Sequence, residues 1–442
     1  MSSLSEKISA GEHPSYAYVY PPTRMYNRSF LPQTIEEAVL TDEIGVYLHI
    51  PFCEQKCTFC GYLTLIERSE DFRDAYVDCL IKELETRRDL LSTKTIRTIN
   101  IGGGTPSLLS TDQFDRIMDV LLKINPRIPQ TAKEISIEAT PESILTGKAL
   151  RWKARGLNRV SIGIQTLNAE EITHSKRKNT PTLSEAAVHR LREEGIPNIC
   201  CDLMYGLEGQ TYETWQYSVE RLVYLHPQTI ELYATTVIPG TPLALKNIQE
   251  MSGKEKYRFY THARDLLLDG GYIQDCHLRF VIPGRGAYMQ QEDVFKGLSL
   301  LGFGAGARTY TPTVYWRNVF DGGNGRSATI EYMRRIRNGE SPIESGVSLS
   351  KDEQMRRYII FNLEALHLST LVEMFGTHAL EYINQTINEL LRLDFAEIDD
   401  GTLYLNGRGI VYRDLIAREF YSPEVIEKES TYWQPLFPIT TS

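Results

Sequence analysis

Cys53, Cys57 and Cys60 stand within eight residues of one another, in the run His49-Ile50-Pro51-Phe52-Cys53-Glu54-Gln55-Lys56-Cys57-Thr58-Phe59-Cys60-Gly61-Tyr62. Thiolates at this C-x3-C-x2-C spacing can take three corners of a cubane iron–sulfur cluster and leave the fourth iron without a protein ligand. An open iron is where chemistry can occur. The competing readings are a zinc site or a chance group of buried thiols. Structural zinc wants four ligands, usually as two pairs, and no second Cys or His pair follows at such spacing. A disulfide framework is disfavoured, because seven cysteines in 442 residues are few, odd in number and unpaired in pattern. Cys79, Cys200, Cys201 and Cys276 lie in apolar sequence and read as core residues.

A reactive loop of this kind needs a rigid support. β-rich runs alternate with amphipathic segments in the order of parallel βα units. Strands are expected at Ile44 to Ile50, Thr95 to Ile101, Glu134 to Ala139, Arg159 to Ile164, Asn198 to Met204 and Thr229 to Val237. Helices are expected over Ser69 to Leu91 and Thr111 to Ile124, and near 142–154, 182–195 and 211–225. Six such units make an α/β fold, a partial (β/α)6 TIM-like barrel. A full barrel would need two more strands before residue 245, and the sequence offers none there. In such folds function collects at the C-terminal ends of the strands, where successive loops converge on one mouth.

The polar residues at those ends are few. Gly102-Gly103-Gly104-Thr105-Pro106 follows the second strand, and glycines there permit a close backbone approach that a side chain would block. Taken alone it is as often an ordinary turn as a ligand site. Glu138 breaks an apolar alternation at the end of the third strand, as either an exposed carboxylate or a ligand contact. Gln165 ends the fourth strand, and Arg177 beyond it offers a planar fork suited to a carboxylate. Asp202 is an acid within an apolar strand. Any one of these reads equally well as a satisfied structural polar group.

The strand Tyr47-Leu48-His49-Ile50-Pro51-Phe52-Cys53, with the cysteine triplet after it, resembles the opening of a radical S-adenosylmethionine enzyme. Within that superfamily it resembles the oxygen-independent coproporphyrinogen III oxidase branch, from about Tyr47 to about Tyr421. The resemblance implies a 4Fe–4S cluster on Cys53, Cys57 and Cys60, with one or two molecules of S-adenosylmethionine. It assigns Gly103, Gly104 and Thr105 to the methionyl amino group. Tyr47, Phe59, Glu138, Gln165, Arg177, Asp202, Thr236 and Arg308 are implied in the same ligand region. The implied reaction is one-electron cleavage of S-adenosylmethionine to methionine and a 5′-deoxyadenosyl radical, with a flavodoxin- or ferredoxin-type protein as electron donor.

Two departures from the oxidase pattern bear on the substrate, and they make Tyr62 and Arg308 the candidate catalytic residues. The oxidase follows its triplet with a further cysteine, where this chain has Tyr62, and a phenol cannot take over a thiol's role. After Gly302-Phe303-Gly304-Ala305-Gly306-Ala307 the oxidase carries an apolar residue lining its second S-adenosylmethionine, where this chain has Arg308. A cation there fits an anionic or differently shaped ligand, or a surface ion pair. Both changes favour a C-methyltransferase or cyclopropanase acting on an sp2 carbon of a small planar substrate. Oxygen-independent coproporphyrinogen oxidation is the alternative. A heme chaperone is the second alternative, with His49, His226 and His277 as candidate iron ligands against the ordinary reading of core or surface histidines.

The remainder of the chain divides into four expected parts: an N-terminal extension (1–40), the barrel (41–245), a barrel extension with connecting loops (246–345) and a C-terminal winged-helix-like lid (346–442). A helix is expected at Lys254 to Gly270, then an irregular stretch from Asp275 to Trp316. Its Tyr288, Arg308, Tyr310, Tyr315 and Trp316 read as a wall over a planar substrate or as packing between domains. Ser350 to Leu363, Ser369 to Phe375 and Ala379 to Leu393 read as helices, followed by a hairpin over Ala396 to Leu405 that turns at Asp400-Gly401. Acids crowd this region, which opposes phosphate binding, and a net charge of −9 gives no general attraction to nucleic acid. Tyr16, Tyr18, Tyr20 and Tyr26 make the N-terminal segment too aromatic for simple disorder, and it is expected to wrap the barrel mouth. No apolar run reaches about 18 residues and no signal pattern opens the chain. A cytoplasmic monomer with a small-molecule substrate is expected.

Overall fold

The computed structural model describes residues 3–14, 16–17, 19–30 and 35–433. Tyr18 lies outside them. Six parallel strands run in chain order: β1 (Glu43–Ile50), β2 (Thr95–Gly103), β3 (Glu134–Ala139), β4 (Arg159–Gln165), β5 (Asn198–Tyr205) and β6 (Thr229–Ala234). Each pairs in parallel with the next. Val46, Leu48, Ile50, Ile99, Ile101, Val160, Ile162, Ile164 and Leu232 are buried in the main core with Tyr76, Leu80, Phe114 and Ile117 of the covering helices. The alternate positions, among them Tyr47, His49, Asn100, Glu138, Ser161, Asp202, Glu231 and Tyr233, therefore face inward. Most strand positions alternate between apolar and polar, which departs from the near-continuous apolar runs of a parallel sheet buried on both faces. The interior is built to hold polar groups.

After β7 (Arg279–Val281), which pairs antiparallel with β6, a seventh parallel strand, β8 (Ser299–Phe303), joins the free side of β1. The sheet then continues antiparallel through β9 (Arg308–Tyr310), β10 (Val314–Asn318) and β11 (Ile343–Ser348). The expectation of an irregular stretch between Asp275 and Trp316 is thus corrected. These strands span only three to six residues and are interrupted by glycines, too short for a two-residue period to register. The single helix expected over Ser69 to Leu91 is two, Glu70–Thr86 and Arg88–Thr93. The one expected near 142–154 is also two, Pro141–Ile144 and Ala149–Ala154, with Gly147 at φ 79° between them.

A second core gathers Ile359, Ile360, Leu366, Leu371, Ile383, Leu390, Leu403, Leu415 and Val425 from the C-terminal helices and hairpin. The hairpin strands Ala396–Asp399 and Thr402–Leu405 turn through Asp400 at φ 43° and Gly401 at φ 70°, the two left-handed residues that a tight two-residue hairpin turn needs. Ala365–His367 adds a third strand. Leu4, Ala17 and Tyr20 of the N-terminal segment are buried in this same core. Further on, Asn27 bridges to Gly346 at the edge of β11. No helix among the described residues is long and apolar enough to cross a membrane.

Candidate active site

The cluster loop is clamped at its base. Phe52–Cys53 pairs with Leu65–Ile66, and Leu65 N–H donates to the Pro51 carbonyl at 2.6 Å. From the adjacent strand, Gly104 N–H donates to Ile50 O at 2.8 Å and Thr105 N–H to Phe52 O at 2.7 Å. This contact requires glycine, since a Cβ on Gly104 would lie 2.7 Å from the Phe52 carbonyl oxygen and 2.9 Å from that of Pro51. The Thr105 hydroxyl donates to Cys53 Sγ at 3.5 Å, and Arg177 Nη1 donates to Cys57 Sγ at 3.5 Å.

Burial pushes the Cys53 thiol up to about 12 and the Cys60 thiol up to about 11. Thiolates in this pocket therefore need a cationic centre to hold them. Among the described residues, the ligand atoms of Cys200, Asp202 and Glu231 lie within 4.8 Å of one another; those of Cys53, Cys57 and Cys60 do not form such a set. The three sulfurs of the loop are spread too widely to share one tetrahedral ion, where thiolates sit about 2.3 Å from the metal.

Next to the loop, Gly103 at φ 122° turns its N–H onto Glu138 Oε2 at 3.0 Å. Burial raises the Glu138 carboxyl to about 7 against the opposing pull of the Gly103 amide and Arg159. Gln165 takes φ 69° where β4 slips register against β5, so its amide returns over Gly163. Arg177 lies on the loop behind it, with Nη2 donating to the Gly163 carbonyl and Nε to Asn179 Oδ1 at 3.1 Å. Gln165, Arg177 and Cys57 thereby converge. Lys178, beside Arg177, pairs outward with Glu54 at 2.6 Å.

Asp202 receives the Ser161 hydroxyl at 3.1 and 3.3 Å, and burial together with the nearby Glu231 charge raises it to about 7. Burial also acts upward on Glu231, but Arg279 and Arg159 outweigh it and hold that carboxyl low. Tyr47 OH lies 3.1 Å from His49 Nδ1, and His49 Nε2 lies 3.2 Å from the Leu63 carbonyl. Burial lowers His49 to about 4, so it stays neutral. Tyr47 feels the charges of Glu138 and Arg308 and adjoins Tyr62, which stands 60% exposed on the rim. Phe59 is half-buried in the cluster loop and Thr236 half-buried just past β6. Of the histidines singled out, His277 is buried with Nδ1 2.8 Å from the Ile410 carbonyl. His226 caps a helix at the opposite end of the strands.

The sequence reading missed a charged network below these residues. Arg279 Nε donates to Glu231 at 3.0 Å, Arg159 lies 3.5 Å from the same carboxylate, and both guanidinium groups stack on Tyr288. The available signal was the charge at alternate positions of β4 and β6. Cys200 belongs to this network, with Sγ 3.6 Å from Asp202 Oδ1, and Cys276 lies beside Arg279 and Asp275. Their placement in apolar surroundings is corrected: an inward position in this barrel is polar. Cys201, one residue on, does sit in the apolar core.

The sequence profile of the Radical SAM superfamily matches residues 47–222. The oxygen-independent coproporphyrinogen III oxidase of Escherichia coli strain K12 is 26% identical over 411 residues, 88% of this chain and 87% of that protein. The heme chaperone HemW of Lactococcus lactis is 29% identical over 364 residues, 78% of this chain and 90% of the other. The solved structure of the E. coli coproporphyrinogen III oxidase HemN, described as a radical SAM enzyme, has a TM-score of 0.79 at 24% identity and covers 92% of this chain and 96% of its own. An open, mostly parallel barrel with a three-cysteine loop at its mouth is the architecture of a radical S-adenosylmethionine enzyme, and this chain is one. Over nearly its whole length it is similar to oxygen-independent coproporphyrinogen III oxidases, and the cofactors of its radical SAM domain are a 4Fe–4S cluster and S-adenosylmethionine.

Proposed function

We propose that Cys53, Cys57 and Cys60 ligate three irons and that Gly103, Gly104, Thr105, Glu138, Gln165, Arg177 and Asp202 hold S-adenosylmethionine against the fourth. When bound and reduced, the cluster supplies the electron that cleaves a carbon–sulfur bond of S-adenosylmethionine and so provides a 5′-deoxyadenosyl radical. The protein's own groups bind and orient. The convergence of Arg177 on Cys57 Sγ at 3.5 Å carries this reading, because it sets a carboxylate-binding fork beside an iron ligand. Glu138 and Asp202, inward-facing carboxyls, match the ammonium and sulfonium charges of the ligand. Tyr47, Phe59 and Thr236 line the remainder of the pocket.

For the substrate, oxygen-independent oxidation of a coproporphyrinogen-type molecule is the first reading. It is supported by likeness to the oxidase over nearly the whole length of both chains. Methyl transfer to an sp2 carbon, with a second S-adenosylmethionine as donor, is favoured by Tyr62 and Arg308. Heme delivery fits less well, since His277 and both nitrogens of His49 already have partners. In each reading the barrel of residues 41–245 does the radical chemistry, 246–345 walls the site, and 1–40 and 346–442 close it. A flavodoxin- or ferredoxin-type protein serves as electron donor to a monomer.

The deciding experiment is anaerobic reconstitution with iron and sulfide, followed by dithionite, coproporphyrinogen III and methyl-deuterated S-adenosylmethionine, with products read by mass spectrometry. 5′-Deoxyadenosine with decarboxylated coproporphyrinogen, and no S-adenosylhomocysteine, is the oxidase outcome. S-adenosylhomocysteine together with deuterium moving into 5′-deoxyadenosine is the methyltransferase outcome. Neither product, with stoichiometric heme binding, returns the chaperone.

A further inference from the structure

The cluster loop has an outer side as well as a mouth. Thr58, buried between Cys57 and Cys60, donates its N–H to the Ser175 carbonyl at 3.2 Å and accepts the Leu243 N–H at 3.0 Å. At Gly61 the same loop meets Ile238, whose Cδ1 would lie 2.9 Å from a Cβ placed there. His174 Nδ1 lies 3.2 Å from the Glu208 carbonyl and ties in the turn after β5. Segments 54–62, 174–178 and 238–247, distant in sequence, are thus joined behind the cysteines. In the loop Cys53 is buried, while Cys57 and Cys60 are half-buried.

This outer side is cationic. Lys56, Lys176, Lys178 and Lys246 stand there against Glu54 and Glu208, on a chain whose net charge is −9. Lys178 pairs with Glu54 at 2.6 Å and Lys246 lies 3.8 Å from Glu208. Both lysines are about half exposed in these pairs, and solvent-exposed pairs of this kind are weak and free to change partners. Neither Lys56 nor Lys176 has an ion-pair partner among the described residues. Lys56 is close enough to Cys60 for its charge to act on that thiol. Leu245, in the helical turn that Leu243 begins to anchor, is 76% exposed beside Lys246. An apolar contact with a charged surround is the make-up of a protein interface.

We propose that this face docks an acidic protein that delivers one electron at a time to the cluster, a proposal that rests on the radical reading of the same site. The carrier's reduced centre loses one electron and the oxidised cluster gains it, with no atom transferred. The mouth of the barrel serves ligand and substrate, so the outer side offers the carrier an approach to Cys57 and Cys60 that competes with neither. Charge selects the carrier. Elsewhere the net-acidic chain repels an acidic protein, and a local cationic face both steers its approach and fixes its orientation. Redox encounters bury little surface, under about 1,200 Å², so a face of four lysines and one leucine is large enough.

The test uses the full chain, reconstituted anaerobically and immobilised, with a flavodoxin and a plant-type ferredoxin as acidic probes and cytochrome c as a basic control. At least one acidic probe is expected to bind, with affinity falling at least tenfold between about 50 and about 200 mM salt, and cytochrome c is not. Lys176→Glu combined with Lys246→Glu should weaken that binding at least tenfold. The same variant should slow 5′-deoxyadenosine formation driven by the reduced carrier and leave the dithionite-driven rate unchanged. Should it fail to fold or load iron, carbodiimide cross-linking of the wild-type chain to the probe, mapped by mass spectrometry, reads the same face. Cross-links are expected at Lys56, Lys176, Lys178 or Lys246. No binding of either acidic probe, salt-independent binding, undiminished affinity in the variant, or cross-links confined to other lysines would overturn the proposal. So would tighter binding of a single-stranded RNA at this face, which would make it a nucleic-acid surface. Binding and cross-linking are read without turnover. A chain that docks the carrier here yet makes no 5′-deoxyadenosine with dithionite would sink the radical reading and leave the docking face standing, and dithionite turnover without docking would do the reverse.

Discussion

Glu138 and Asp202 are inward carboxyls that burial raises to about 7. Each binds more protons folded than unfolded between its ordinary value near 4 and about 7, so stability is fully present at low pH and is lost as pH rises through that window. In the cluster-free chain, Glu138→Gln is therefore expected to flatten the decline of Tm from about pH 5 to pH 7.5. A cationic ligand favours the ionised carboxylates, so S-adenosylmethionine binding should release protons and tighten as pH rises through about 7. Calorimetry in buffers of different ionisation enthalpy counts those protons. Gly104→Ala puts a Cβ 2.7 Å from the Phe52 carbonyl and must displace the segment carrying Cys53. Iron and sulfide content after reconstitution should fall well below the wild-type value, with helix content by circular dichroism unchanged.

At the scale of elements, the six parallel strands were legible because each runs six to nine residues, long enough for a two-residue period to register. The strands of three to six residues that follow were not. Their identity depends on finding an edge to pair with, which is a property of the sheet and not of the segment. The N-terminal segment shows the same limit. Its aromatic content marks it as packed, but Leu4, Ala17 and Tyr20 sit in the C-terminal core, an assignment that local pattern could not make. Tyr20→Ala is expected to cost about 3–5 kcal/mol of that core's stability, as for other buried aromatic truncations, while cluster content stays unchanged. Chemical denaturation monitored alongside cluster absorbance checks it. Removing residues 1–30 should impair turnover and leave cluster loading intact.

In the whole molecule the two hydrophobic cores, one between the barrel strands and their covering helices and one in the C-terminal unit, are expected to melt as two calorimetric transitions. S-adenosylmethionine at about a hundred times its Kd should stabilise the barrel transition alone by about 2.7 kcal/mol. A single transition that shifts as a unit would mean that the buried Arg413 and His277, with the half-buried Glu364 between them, couple the two cores. The sequence by itself determined the chemistry's class and its scaffold. The triplet spacing, the glycine run and the period of the strands are local, and local patterns are what covalent order and backbone sterics control. Only the tertiary structure decided what lies inside the barrel. Glu231, Arg279, Arg159 and Cys200 come from separate strands, every pair more than thirty residues apart, and nothing in one strand states which charges the others bring. The pairing of Arg308 with Arg317 was likewise invisible until β9 and β10 were in register. Charges meet through the sheet's hydrogen-bonded register, and register is set by the packing of the whole.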